Sequence, residues 1–487
     1  MTIKDLNPEI VWRNFYALTQ IPRPSKKEGK AVEYLYGFGK SLGLETIKDE
    51  TGNIIIRKPA TPGMEDRKGV ILQGHIDMVP QKNADKVHDF EKDPITTVVD
   101  GDWVRADGTT LGADNGLGVA VALSVLESKD LKHGPVEVLV TVDEETGMTG
   151  ANALKPDVLK GDILINLDSE TEGELYVGCA GGLDATATLK YDQKPVPAGY
   201  HACRISVKGL KGGHSGMDII LYRANANKLL ARAVLPLLRD YGVRLVSAEG
   251  GNMRNAIPRE AFADVLVPEP AREAVLSFVS GLQKAVKNEY ASADPDISLT
   301  MEPLGSMPSL YVDDAAAIAM FRAVNACPDG VWRMSDAVPG LVETSNNVAI
   351  VSASGGVFQV KTLMRSSVDS EKDALAEEFR SVFELAGAET VFTGGYSGWA
   401  PDSNSQILHL MKKVYGSLYG KDPAVMAIHA GLECGILGGT YPHWDMVSCG
   451  PTILSPHSPD ERVNIPSVEK WWHFIVKVLE EIPRNAQ

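Results

Sequence analysis

Apolar and polar positions follow three textures along the chain. Residues 9–19 and 26–42 carry apolar side chains at helical spacing, the second stretch opening after Pro24-Ser25. Residues 44–49 and 53–57 read as strands around the turn Asp49–Asn53, and Gly69–Gln73 as a short apolar strand. Residues 81–116 are mostly polar and predict loop. Gly116–Leu126, GLGVAVALSVL, predicts a helix of small residues that can pack closely on a sheet. Val136, Val138, Val140 and Val142 then fall on one face of a strand, while Glu137, Leu139 and Thr141 leave its other face only partly apolar. That suits a strand covered completely on one face and in part on the other. Ile163–Leu167 is a further strand. Strands alternating with helices predict a mostly parallel, helix-flanked α/β sheet.

After Gly182 the texture changes. Residues 183–190 and 201–209 alternate like antiparallel strands, and a helical pattern covers Arg223–Tyr241. Strands near 243–248 and 260–266 and a helix near 270–290 follow. A second set has strands near 347–352 and 357–364 and a helix over Ser370–Leu385. From about Thr393 the α/β texture returns, with helices over 403–418 and Val468–Glu481 and strands over 424–428 and 445–449. The chain therefore divides into a catalytic domain in two parts, 1–186 and 395–487, around an inserted α+β lid, 187–394. The insert is long for one unit at the usual ~150 residues per domain. Two tandem ferredoxin-like units are the alternative reading, although no sequence repeat stands out.

Composition narrows the partners. The 487 residues include 48 basic and 64 acidic ones, a net charge of −16. Such a charge argues against nucleic acid and anionic membrane. The opening MTIKDLNPEIVWRNF lacks the apolar core of a secretory signal, and no stretch reaches the roughly 20 apolar residues of a membrane span. Cys179, Cys203, Cys327, Cys434 and Cys449 are odd in number and form no CxxC pair. They read as reduced thiols, and the expected location is cytoplasmic.

The chemistry gathers where apolar strands end. VEVLVTV runs directly into Asp143, Glu144 and Glu145. Ligands of open α/β sheets bind beyond the carboxyl ends of strands. On extended chain, adjacent glutamates point in opposite directions, so one can hold a metal while the other faces water. His75 and Asp77 stand in GHIDMVP, Asp114 in LGADNG, Asp168 at the end of LINLDSE and His457 in SPHSPDE. His75, Asp114, Glu145, Asp168 and His457 are thus candidate metal ligands. Mixed imidazole and carboxylate donors suit zinc, cobalt or manganese rather than calcium. Five are too many for one tetrahedral zinc and suit two ions about 3.5–4 Å apart that share a carboxylate. Asp114, in a tight glycine-flanked turn, is the best bridge, and its peptide to Asn115 is a candidate for strained or cis geometry. Asp77, two residues after His75, can reach the far imidazole nitrogen and fix its tautomer.

The segments GHIDMVP, LGADNG, TVDEETGMTGA, LINLDSE, GGHSG, GGNMRNAIP and SPHSPDE resemble, in order, signatures of the co-catalytic di-zinc metallopeptidases related to aminoacylase and carboxypeptidase G. The resemblance runs from about residue 10 to the C-terminus. The long insert, HAGLECG (His429–Gly435) and GWAPDS are most similar to the branch of aminoacyl-histidine, or cytosolic non-specific, dipeptidases.

The resemblance implies a metallo-dipeptidase with two zinc ions per chain, replaceable by cobalt or manganese. Its substrates would be dipeptides, Xaa-His and carnosine-like ones among them, hydrolysed by a metal-activated bridging water with Glu144 as general base. It implies further that His214 of GGHSG stabilises the oxyanion, in dimeric relatives from the partner subunit. Asn255 and Arg365 hold the substrate carboxylate or backbone, and the lid forms a homodimer. Glu433 is taken as a polar substrate-pocket contact, and His429 has no derivable role. The alternatives are an N-acyl-amino-acid amidohydrolase on the same metal site and a non-catalytic peptide-binding descendant.

Overall fold

A computed structural model describes residues 2–485. The chain forms two compact units. The first holds residues 1–178, 401–427 and 432–487, and the second residues 179–400 and 428–431. The boundaries at 178/179 and 400/401 differ from the 186/187 and 394/395 read from the sequence.

The first unit is built on an eight-stranded mixed sheet. Its centre is four parallel strands in the order Val136–Thr141, Val70–His75, Ile163–Asn166, Asp445–Ser448. Ile54–Lys58 and Glu45–Lys48 extend one side antiparallel, and Glu174–Cys179 runs antiparallel beside Asp445–Ser448. Ala424–Ile428 forms the far edge. The predicted small-residue helix is Ala113–Glu127 and is buried along nearly its whole length. Its glycines permit that approach: a Cβ on Gly118 would fall 2.4 Å from the Leu167 carbonyl oxygen.

Three local expectations are corrected. Val136–Thr141 is buried on both faces, not one and a part. Glu137 is accommodated because Arg57 Nε donates to it at 2.8 Å and the backbone N–H groups of Lys160 and Gly161 donate at 2.7 and 2.8 Å. Paired and hydrogen-bonded, a carboxylate can be tolerated inside. Residues 81–116 are not all loop: Thr97–Asp100 and Trp103–Ala106 form a hairpin. With Arg462–Asn464 and Ile453–Leu454 it makes a four-stranded sheet. The cue was Gly101-Asp102, a two-residue turn between β-branched and aromatic residues. Finally, Glu144–Gly147 is a helical turn, entered through Asp143 at φ 54°, so the two glutamates are not on extended chain.

The second unit is a nine-stranded sheet, antiparallel throughout its pairings, with helices packed on it. Tyr200–Lys208, helix Ala226–Asp240, Arg244–Gly250, Ala261–Pro268, helix Arg272–Glu289 and Ser298–Pro303 form one ferredoxin-like βαββαβ set. Gly181–Lys190, helix Asp314–Ala326, Val342–Ser354, Val357–Ser366, helix Asp369–Leu385 and Glu389–Tyr396 form another. The two sets are nested, not tandem: the first is inserted after the opening strand of the second. Their edge strands pair through Ala248 and Ala353, giving one continuous sheet. Leu230, Val234, Val265, Phe321, Phe358 and Phe379 fill a single core beneath it. Splitting the outer set hides the repeat, because its first strand lies far in sequence from the rest.

Candidate active site

The parallel strands of the first unit deliver the ligand candidates together. His75 is the last residue of Val70–His75, the Glu144–Gly147 turn follows Val136–Thr141, and Asp168 follows Ile163–Asn166. Asp114 comes from the opening of Ala113–Glu127, where its peptide to Asn115 is cis. His457 lies between the short strands Ile453–Leu454 and Arg462–Asn464.

Two donor sets meet on one aspartate. His75 Nε2 lies 3.2 Å from Asp114 Oδ1 and 3.4 Å from Asp168 Oδ1. His457 Nε2 lies 3.1 Å from Asp114 Oδ2 and 3.0 Å from Glu145 Oε2. Tetrahedral zinc with bonds of about 2.0–2.2 Å has ligand-to-ligand edges of about 3.3–3.6 Å. The separations approach those edges, and each set mixes imidazole nitrogen with carboxylate oxygen. Glu145 Oε1 is buried with no hydrogen-bond partner among the described residues, and Asp168 Oδ1 meets only the His75 ring, at ion-pair distance. Orphaned buried carboxylate oxygens are costly unless a cation meets them. The donor set therefore fits divalent ions.

Electrostatics point the same way. Burial disfavours protonation of the His75 ring, but Asp168, Asp114 and Asp77 outweigh it and hold its pKa well above the ordinary value. Hydrogen bonds to Asp114 and Glu145 push His457 up to about 11. Burial, against the pull of His75, raises Asp168 to about 7. Clustered carboxylates thus favour positive charge at this place. Glu144 is held well above its usual range by burial and by Asp168, Glu433 and Glu145, against His75.

Asp77 ties the ligands to the acidic turn. Its Oδ1 lies 3.3 Å from His75 Nδ1 and accepts the Glu144 N–H at 3.0 Å, while Oδ2 accepts the Glu145 N–H at 3.2 Å. Below lies a buried polar chain around Glu433, whose other members, Gln73, Thr141 and Asn166, the sequence reading missed. Gln73 Nε2 and Thr141 Oγ1 donate to Glu433 Oε2 at 2.6 and 2.7 Å, and Asn166 Nδ2 donates to Gln73 Oε1 at 2.6 Å. Glu433 is 1% exposed, with Oε1 unpartnered among the described residues. Polar residues inside otherwise apolar strands, Gln73 and Thr141, were the available signal.

The second unit gathers a separate polar group. His214 pairs with Ala256 in a two-stranded ladder, and the Ser215 N–H donates to the carbonyl of exposed Asn255 at 2.8 Å. His214 Nδ1 accepts the N–H groups of Gly216 and Met217 at 3.2 and 3.1 Å. The neutral ring therefore carries its proton on Nε2 and presents a donor. Arg365 is 5% exposed and donates to Ser215 Oγ and Tyr396 Oη, both at 3.4 Å. Among the described residues no carboxylate forms an ion pair with it. His429 Nε2 lies 2.7 Å from Ser345 Oγ, and burial, reinforced by Arg365, lowers its pKa to about 3.

Comparison with known proteins adds to this geometry. A family model described as peptidase family M20/M25/M40 matches residues 71–481. The chain is 48% identical to the cytosol non-specific dipeptidase of Escherichia coli over 486 residues, 99% of each chain. It is similar to the crystal structure of aminoacylhistidine dipeptidase from Vibrio alginolyticus, with a TM-score of 0.96 and 47% identity, covering 100% of this chain and 99% of that one. An aminopeptidase of Bacillus cereus, 16% identical with a TM-score of 0.57 over 98% of this chain and 99% of its own, shares the fold alone.

Proposed function

This chain belongs to peptidase family M20/M25/M40 and is a peptide-bond hydrolase, and on that premise we propose that it is a dipeptidase using two divalent cations, zinc foremost. The carrying observation is Asp114, whose two oxygens face two different histidine nitrogens at 3.2 and 3.1 Å. The names of two relatives near 48% identity, a cytosol non-specific dipeptidase and an aminoacylhistidine dipeptidase, support dipeptide substrates, Xaa-His ones among them, and a cytosolic location; carnosine-like dipeptides are our extension of that class.

His75, Asp114 and Asp168 would hold one ion, and His457, Asp114 and Glu145 the other. Bound there, divalent cations would lower the pKa of water and polarise a carbonyl. Glu144 takes the proton of the attacking water and returns it to the leaving amine. Asp77 keeps the His75 proton on Nδ1, leaving Nε2 free for ligation. In the second unit, which we take as the lid and dimer-forming part, the His214 Nε2–H is a donor for the oxyanion. Arg365, buried and paired with no carboxylate among the described residues, offers a forked grip on the C-terminal carboxylate. Asn255 binds substrate backbone, and Glu433 contributes through Oε1, which has no hydrogen-bond partner among the described residues.

The test is turnover by metal-free protein reloaded with zinc, cobalt or manganese. Carnosine, other Xaa-His dipeptides, unrelated dipeptides and N-acetyl amino acids form the panel. Dipeptides are expected to be cleaved in preference. Cleavage of N-acetyl amino acids alone would make the protein an amidohydrolase, and metal uptake without turnover of any substrate would make it a binding protein.

A further inference from the structure

Two buried charges stand behind the ligand loops. Arg23 and Glu461 are each 2% exposed. Glu461 Oε2 accepts the N–H groups of Leu111 and Gly112 at 2.7 and 2.9 Å, and Oε1 accepts those of Ala113 and Asp114 at 2.8 and 3.2 Å. Four consecutive backbone donors thus converge on one carboxylate, a nest built to hold an anion. Arg23 approaches through carbonyls. Its Nη1 donates to Ile76 O at 2.8 Å and Asp77 O at 3.3 Å, and its Nη2 to Gly112 O at 2.6 Å.

Gly112 is therefore gripped at both its N–H and its C=O. It sits at φ 68°, and a Cβ there would fall 2.6 Å from Arg23 Nη2 and 2.8 Å from Met78 Sδ. The residues either side of this clamp are ligand candidates. Ile76 and Asp77 follow His75 directly, Asp114 is two residues beyond Gly112, and Glu461 is four residues beyond His457. A continuous chain of hydrogen bonds links the His75 strand end, the Asp114 turn and the His457 loop. Because Asp114 belongs to both donor sets, a shift of its turn disturbs both.

We infer that Arg23 and Glu461 are positioning residues that set Asp114 between His75 and His457, and thereby the affinity for the two cations; the inference rests on the metal reading above. Neither touches a donor atom of the site in this geometry, so each acts through the loop it holds. Outer partners of metal ligands elsewhere are worth about 10–100-fold in metal affinity. A carboxylate that accepts four N–H groups tolerates no amide substitute, since an amide places a donor against two of them. A lysine at 23 keeps the charge and loses the planar fork.

The experiment titrates metal-free full-length protein with cobalt, following its visible absorption, and with zinc by calorimetry. Thermal unfolding of each metal-free form is measured alongside. Wild type should take up two ions. Glu461→Gln and Arg23→Lys should bind about 10–100-fold more weakly with an altered cobalt spectrum. Arg57→Lys, which loses the forked contacts of the part-buried pair with Glu137 at the opposite ends of the strands, should lower metal-free stability and leave the titration unchanged. Wild type that takes up no ion overturns the metal reading itself. Two ions in wild type with unchanged affinity and spectrum in both variants overturns only the positioning role. Failure of both variants to fold without metal would make the pair a folding element and also overturn it.

Discussion

His457 Nε2 lies 3.1 Å from Asp114 Oδ2, while the other oxygen of the same carboxylate faces His75. A single aspartate therefore spans the two donor sets. Asp114→Ala should lose more bound metal than either His75→Ala or His457→Ala, because it belongs to both sets. Metal analysis of purified protein decides this. Two ions per chain in Asp114→Ala would show that no bridge exists.

Glu144 lies in the acidic turn beside Glu145 but belongs to neither donor set. Glu144→Gln should lower kcat by about 10²–10⁴-fold with metal content unchanged. Turnover near wild type in the metal-loaded variant would remove Glu144 as the base.

His214 presents Nε2–H because Nδ1 is occupied by two backbone donors. His214→Ala should reduce kcat by about 10²–10³-fold and leave the metal in place. If the ring serves a partner subunit, mixing His214→Ala with Glu144→Ala chains should restore part of the activity. Hybrids shown to form but inactive would assign the ring to its own subunit or to none.

Arg365 is buried with no carboxylate ion-paired to it among the described residues, so its charge is held at a cost to stability. Arg365→Met should leave stability unchanged or raised, while kcat/KM for dipeptides falls by about 10–100-fold. On dipeptide amides, which lack the carboxylate, the substitution should cost little. An equal loss on both substrates would mean that Arg365 does not read the carboxylate.

Burial, reinforced by Arg365, lowers the His429 pKa from the ordinary 6.5 to about 3. Between those values the unfolded chain binds a proton that the folded chain refuses. Stability should therefore fall as pH drops from about 6.5 toward 3, by up to about 1.4 kcal/mol per pH unit from this group. Above about pH 7 it should contribute no slope. Denaturant unfolding of wild type and His429→Gln at several pH values isolates the effect. Parallel stability profiles would show that His429 protonates as readily as in water.

Local pattern carried much of this protein. Val70–His75 and Ile163–Asn166 were legible as apolar runs because a strand buried on both faces needs little else; Val136–Thr141 was legible from its alternating valines, but burial of its Glu137 face was not. His75, Glu145 and Asp168 stood out as candidates at the ends of such runs and Asp114 in a glycine-flanked turn, whereas His457 stood out only through the SPHSPDE segment. What spacing cannot carry is which distant groups complete one another. Arg23 and Glu461 are separated by most of the chain, yet both close on Gly112. The hairpin Thr97–Asp100 and Trp103–Ala106 gains its partners from residues 453–464. The helical turn at Glu144 is held by Asp77, and the nested sheet depends on a pairing of Ala248 with Ala353. Hydrophobic periodicity is a property of neighbouring residues and survives in the sequence. Charge compensation, edge pairing and the satisfaction of buried donors are properties of groups brought together from afar, and only the folded chain decides them.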